Sequence, residues 1–309
     1  MSYEYSGSIQ YSKPPHSELR TPNSSKPLNE LMITLTSHAK INLGLHILGR
    51  RPEDGYHLLE TIFQEVDFAD EIQIEELNVT GLFKDRFTLT CDNENIPTDE
   101  SNLILKAIWA MIVYLPENFG AKIHLIKHIP SGAGLGGGSS NAATILRWLN
   151  KVAKLNENEL ATIAVKLGAD VPFFLKGGTQ YAKGIGEKLS PIKIPLNWCA
   201  VLVFPNLHIS TSWAYEQLKI SLTAKLKKAI IPSQLEKEFN WRIFENDFDE
   251  AIIPSYPEIG KIKERLYNEG AFFAGLSGSG STVFGICESC DIAKRIRSAF
   301  ENAVTVNPI

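Results

Sequence analysis

The sequence predicts an α+β fold, and three observations carry that prediction. Residues 40–48 and 123–129 alternate apolar and polar side chains as half-buried strands do, whereas residues 142–149 space their apolar residues as a helix does. The chain has 309 residues, enough for two domains or one large one, and 44% of them are hydrophobic, enough to fill a sizeable core. A glycine turn and a proline-containing stretch over residues 184–195 mark the expected boundary between domains 32–190 and 191–309.

Composition excludes several functions. A net charge of −4 with mixed signs leaves no basic footprint for nucleic acid or an anionic membrane. No apolar run approaches a transmembrane length, and residues 1–30 lack the apolar core of a signal peptide, so the expected location is cytoplasmic. Cys91, Cys199, Cys287 and Cys290 are too few and too scattered for a disulfide framework, and Cys287 with Cys290 lacks the second pair a zinc site needs. The expected partner is a small-molecule substrate, and the chain a monomer or homodimer.

Residues 1–31, rich in Ser, Pro, Tyr and Asn, read as a disordered leader, with the folded part starting at Met32. Two strands follow over 31–36 and 40–48; in the second, Lys40 and Asn42 share the polar face with Gly44 and His46. A lone lysine on such a face is ordinarily solvated. Residues 50–57 form a turn through Pro52 and Asp54-Gly55, residues 58–68 fit either a helix or a strand, and 71–75 alternate as a strand. A helix over 102–115 stands behind a Ser101 cap, and another over 156–167 carries Asn156 and Glu159 as a capping-box variant, with Gly168 at its end.

Asp170 lies in an apolar stretch. It either caps a short helix at 171–175 or, if buried, needs a charged partner. A strand and glycine turn (177–187), an apolar strand (198–204) and a helix after residues 208–211, capped by Ser210 or Thr211, come next. Residues 220–250 are Lys-rich and then acidic, with Trp241 and Phe244 as anchors. A helix (257–267), a strand (272–276), the loop 277–281, a strand (282–286) and a helix (292–300) complete the chain.

The stretch from Pro130 to Ala143 carries the chemistry. Its glycines Gly132, Gly134, Gly136, Gly137 and Gly138 lead from a strand into a helix N-terminus, so backbone N–H groups can converge on a phosphate. Ser139 and Ser140 add hydroxyls, one suited to a phosphate oxygen and the other to Mg²⁺. Gly132, Gly134 and Gly137 satisfy G-x-G-x-x-G, but no acidic residue closes a second strand about twenty positions on. Gly138 and Ser139 stand where a Walker A loop needs Lys.

The motif P-x-x-x-G-L-G-G-G-S-S-N-A-A instead resembles the phosphate loop of the GHMP kinases. Three further segments, Ala39 to Leu45, Asp54 to His57 and Thr61 to Gln64, resemble one branch of that superfamily, which phosphorylates a cytidyl substrate of the non-mevalonate isoprenoid route. The match covers nearly all of the chain from Met32 onward.

The resemblance implies a two-domain GHMP kinase fold, with a ribosomal protein S5-like N-terminal domain and a ferredoxin-like C-terminal domain. It implies ATP and Mg²⁺, and phosphorylation of the C2 hydroxyl of 4-diphosphocytidyl-2-C-methyl-D-erythritol. Lys40 and Asp170 would be the catalytic pair. Pro130, Gly132, Gly134, Leu135, Gly136, Gly137, Gly138, Ser139 and Ser140 would hold ATP. Asn42, Tyr56, His57 and Tyr215 would bind the substrate, with Trp213 as the alternative to Tyr215. Gly278, Ser279 and Gly280 would form a third glycine motif closing on the phosphate region.

Overall fold

Alternation with few interruptions produces the two longest strands, β1 (Ile33–Arg50) and β2 (His57–Asn78), paired antiparallel along their lengths. The computed structural model describes residues 32–79, 86–220, 227, 229–231, 235 and 240–309. The leader expected over 1–31 and most of the Lys-rich stretch after residue 220 lie outside the described residues.

The two strands expected over 31–36 and 40–48 are one. Bulges between His38 and Ala39, Leu43 and Leu45, and Ile47 and Gly49 absorb the irregular pattern without ending the pairing. The segment 58–68, open between helix and strand, is the first half of β2 because it pairs with β1 on one side and with β5 (Thr179–Gly184) on the other. The second half of β2 pairs with β4 (Phe119–Ile126), β3 (Phe87–Cys91) runs parallel to β4, and β6 (Lys188–Pro191) closes the other edge.

Helices cover one face of this sheet. α1 (Leu103–Met111) is capped by the Asn102 side chain rather than by Ser101, since Asn102 accepts from the Ile104 N–H at 2.9 Å. α2 (Gly137–Ala153) starts five residues before the apolar spacing begins, so Ser139 and Ser140 lie in its first turn. α3 (Glu157–Leu167) has the full Asn156–Glu159 capping box. α4 (Val171–Lys176) follows Asp170 directly and buries Phe173 and Phe174. Burying such side chains contributes roughly 1.5–3 kcal/mol each.

The second sheet has the antiparallel order β10-β7-β9-β8, from β7 (Cys199–Val203), β8 (Phe273–Leu276), β9 (Val283–Cys287) and β10 (Ala303–Val306). That is the strand order of a ferredoxin-like domain. α5 (Thr211–Gln217), α6 (Phe248–Ile252), α7 (Pro257–Asn268) and α8 (Cys290–Ser298) accompany it. A shared apolar layer, including Ile41 and Leu43 from β1 and Leu202, Phe284 and Ile286 from the second sheet, joins the two sheets, and residues 32–309 form one compact unit.

Among the described residues no helix is long and apolar enough to cross a membrane. The cysteines depart from expectation in one respect. Antiparallel packing brings β7 beside the start of α8, and a disulfide joins Cys199 to Cys290, 91 residues apart, with Cα atoms 5.1 Å from each other. Cys287 is a buried free thiol, so it does not pair with Cys290.

Candidate active site

The polar face of β1 is not solvated. Lys40, Asn42 and His46 are 3%, 2% and 4% exposed, because the phosphate loop and the segment 243–247 cover it. The Lys40 N–H donates to the Leu135 carbonyl at 3.0 Å, which fastens the loop across the strand. Loop 277–281 closes from the other side. The Ser277 hydroxyl donates to the Gly134 carbonyl at 2.9 Å and accepts from the Asn42 N–H at 3.3 Å, while the Thr282 N–H reaches the Ala133 carbonyl at 3.2 Å. The approach is so close that a Cβ on Gly134 would lie 2.0 Å from the Ser277 carbonyl oxygen, and Gly134 has φ +77°. No other residue type fits there.

Lys40 Nζ stands 3.7 Å from an Asp170 oxygen, 5.2 Å from the centre of the Phe63 ring, and donates to Asn42 Oδ1. Burial lowers the Lys40 pKa below its ordinary 10.5, and the charge and hydrogen bond of Asp170 offset part of that loss. Asn42 is oriented in turn, its amide N–H donating to Thr61 Oγ1 at 3.0 Å while the Thr61 hydroxyl donates to the Gly44 carbonyl. Asp170 makes no capping bond to α4, so of its two readings the structure shows the charge pair and not the cap. Its carboxylate is about one-third exposed and faces a cleft of about 640 Å³.

The far end of that cleft is aromatic. The turn 51–56 is held by Arg51 bonded to Asp54 and by the Tyr56 N–H on Asp54 Oδ1 at 3.2 Å. Tyr56 is 58% exposed at the rim. The His57 ring stacks on Tyr215, with centroids 4.7 Å apart and planes 25° apart, and Phe248 meets Tyr215 edge-on at 4.9 Å. Burial, with Arg50 nearby, lowers the His57 pKa, so the ring is neutral at pH 7 and offers one donor and one acceptor. Burial and the Asp170 charge push the Tyr215 hydroxyl up to about 12. Trp213 packs against Tyr256 instead of lining the cleft.

Of the residues singled out in the sequence, Lys40, Asn42, Tyr56, His57, Gly134, Gly136, Asp170, Tyr215, Gly278 and Ser279 line this cleft. Leu135 is core, Pro130 borders a separate hollow beside His208, exposed Gly132 lies nearest that same histidine, and Gly280 rests against Ile209 and Leu276. Gly137 and Gly138 open α2. The two serines differ. Ser140 is buried and turned inward to Ser37, whereas Ser139 is half-buried with its hydroxyl beside Gly168. Arg50, Thr61, Thr211 and Phe248 also line the cleft, and Thr211 Oγ1 meets Ser279 Oγ at 3.0 Å. Thr211 carried only a capping signal in the sequence, Arg50 only a place in the turn 50–57, and Phe248 only a place in the segment 246–248, which resembles a stretch before the final domain of these kinases.

Comparison with known proteins gives consistent matches. The family model for the GHMP kinases N terminal domain matches residues 102–178, and that for the GHMP kinases C terminal matches residues 233–305. A Prosthecochloris aestuarii protein called 4-diphosphocytidyl-2-C-methyl-D-erythritol kinase is 42% identical over 270 residues, 85% of this chain and 92% of that protein. A Geobacter sulfurreducens protein of the same name is 41% identical over 267 residues, with the same two shares covered. The solved structure of a 4-(cytidine 5'-diphospho)-2C-methyl-D-erythritol kinase superposes with a TM-score of 0.73 at 31% identity, covering 89% of this chain and 99% of that one. A homoserine kinase from Cytophaga hutchinsonii shares the fold, with a TM-score of 0.67 at 18% identity, covering 93% of this chain and 97% of that one.

Proposed function

The chain belongs to the 4-diphosphocytidyl-2-C-methyl-D-erythritol kinase family of the GHMP kinases, and on that premise we propose that it transfers the γ-phosphoryl group of ATP to the C2 hydroxyl of 4-diphosphocytidyl-2-C-methyl-D-erythritol. The observation that carries this reading is that one cleft joins a lysine–aspartate pair, a glycine phosphate loop and an aromatic end suited to a pyrimidine. Residues 32–190 supply the phosphate loop and the charge pair, and residues 191–309 supply Tyr215 and the third glycine motif. The reaction and its donor suit a cytoplasmic enzyme.

In this mechanism Asp170 accepts the proton of the acceptor hydroxyl. Lys40 holds Asp170 ionised and steadies charge on the transferring group. A carboxylate is a weak base for an alcohol, but in a loose transition state the proton leaves late and positioning carries much of the catalysis. In this reading the cytosine base packs at the aromatic end of the cleft, stacked on exposed Tyr56 with Tyr215 beside it, and neutral His57 can donate to and accept from its ring edge. Aromatic stacking of this kind contributes roughly 1–3 kcal/mol per base.

The phosphate loop and the N-terminus of α2 receive the triphosphate. No group of three or more His, Cys, Asp or Glu suited to a metal ion occurs among the described residues. A Mg²⁺ carried mainly by ATP oxygens fits this donor set, with the Ser139 hydroxyl as the protein's oxygen, and the ion would offset charge on the β- and γ-phosphates.

A coupled ADP-release assay with ATP and Mg²⁺, comparing the cytidyl substrate with mevalonate and homoserine, tests the reading. Turnover is expected with the cytidyl compound alone, and Tyr215→Ala should raise its KM by about 5- to 150-fold. Turnover with mevalonate or homoserine instead would discard the cytosine pocket.

A further inference from the structure

Asp70 belongs to no catalytic role described above, yet it is completely buried and accepts four hydrogen bonds. Two come from the N–H groups of His128 and Ile129, each at 2.8 Å on Oδ1. On Oδ2 the Lys127 ammonium donates at 2.8 Å and the Asn141 amide at 3.0 Å. These partners lie on either side of the phosphate loop: 127–129 are the residues entering it, and Asn141 is the fifth residue of α2, into which it leads. A single carboxylate therefore spans the mouth of the loop.

The tie continues inward with a fixed polarity. Asp70 acts only as an acceptor here, so Asn141 must turn its amide N–H groups toward it. The same amide nitrogen donates to Ser37 Oγ at 3.0 Å, and Ser37 sends its one hydroxyl hydrogen to Ser140 Oγ at 2.9 Å. Ser37 is 0% exposed, Asn141 3% and Ser140 2%. Lys127 Nζ also donates to the Ile129 carbonyl, and a Cβ on Gly137 would lie 3.1 Å from it. Its charge is thus spent on Asp70 rather than left free as the lysine a Walker loop would supply.

We propose that Asp70 is a positioning residue for nucleotide binding, which closes the two ends of the phosphate loop on each other so that its N–H groups face the triphosphate before ATP arrives. The proposal rests on the kinase reading above and adds to it a residue that never touches substrate. A loop already ordered does not pay its conformational entropy on binding, so losing the tie should weaken ATP alone.

The test is steady-state kinetics of Asp70→Asn. The new amide keeps one oxygen for the His128 and Ile129 N–H groups but sets a donor against Asn141 and Lys127, which cuts the tie at the exit. The expected result is a KM for ATP raised about tenfold, the size of re-ordering roughly one residue. The KM for the alcohol substrate and kcat at saturating ATP should stay within about twofold.

If Asp70→Asn fails to fold, Asn141→Ala cuts the exit tie together with the bond to Ser37, leaves the Asp70 bonds to residues 127–129 in place, and should show the same ATP-specific rise. A lower melting temperature with an unchanged KM for ATP, or equal changes in both KM values and kcat, would overturn the proposal and leave Asp70 a fold-stabilising residue. Calorimetry of ATP on the unaltered chain separates the two levels: no binding there would sink the kinase reading and this inference together, whereas normal binding with no ATP-specific change in either variant sinks the inference alone.

Discussion

Lys40 illustrates how little a single position discloses at the residue scale. On spacing alone it was a surface lysine; it is buried because the phosphate loop and the segment 243–247 fold over its strand. In the proposed mechanism the pair it forms with Asp170 gives two predictions. Asp170→Asn should lower kcat by roughly 10²- to 10⁴-fold while ATP affinity stays near normal, as measured by turnover and calorimetry. NMR titration of the Lys40 ammonium should find it losing its proton below pH 10.5, since burial dominates. Because Asp170 raises that value, Asp170→Asn should move it lower still, and a rise would contradict the assigned electrostatics. The resemblance to the GHMP kinases, and not the spacing, brought Lys40 and Asp170 to attention. Arg50 and Phe248 fell in a turn and in the segment 246–248 without a role, because nothing in their neighbours distinguishes a residue that lines a cleft from one that does not.

At the element scale, the phosphate loop works through what sits behind it. Gly132 and Gly134 both have positive φ, but a Cβ on Gly132 meets only the His208 ring at 3.5 Å, whereas one on Gly134 runs into the backbone of residue 277. Gly132→Ala should therefore cost only the strain of a left-handed residue, about 1–2 kcal/mol. Gly134→Ala should cost more, because the contact between the phosphate loop and the third motif must open as well, and urea denaturation of the two variants measures the difference. Equal losses would mean that the third motif yields without cost. Capping boxes and glycine stops were readable in advance because they are local. The continuous β1 was not, since a bulge is decided by the partner strand and leaves only an irregularity in the sequence.

At the scale of the whole molecule, the polar pair of His46 and Asp247 bridges β1 and the segment leading into α6. Both His46 nitrogens face acceptors, Asp247 Oδ1 at 3.3 Å and the Ile243 carbonyl at 3.0 Å, so the doubly protonated ring fits best. Burial works against that charge, but those two bonds, with the charges of Asp247 and Glu60, outweigh it and raise the pKa above 6.5. For Asp247, burial is likewise outweighed by His46, the Ile47 N–H and Lys227, which hold it below 3.8. The histidine contribution to stability is then complete below pH 6.5 and is lost as pH rises through the folded value. The aspartate contribution is present above pH 3.8 and is lost as pH falls through its folded value. The pair should stabilise most between pH 3.8 and 6.5, and the urea midpoint should fall above pH 6.5 in the unaltered chain but less in His46→Phe. Parallel pH profiles of the two would remove the pair from the account. The sequence by itself determined the α+β class, the family, the glycine loop and the residue types of the site, because periodicity and motif spacing are properties of contiguous chain. Tertiary structure alone decided that Lys40 is buried against Asp170, that Tyr215 rather than Trp213 faces the cleft, and that Asp70 ties the loop to α2. Each of those depends on surfaces far apart in the chain, and burial and pairing energies exist only once packing has brought them together.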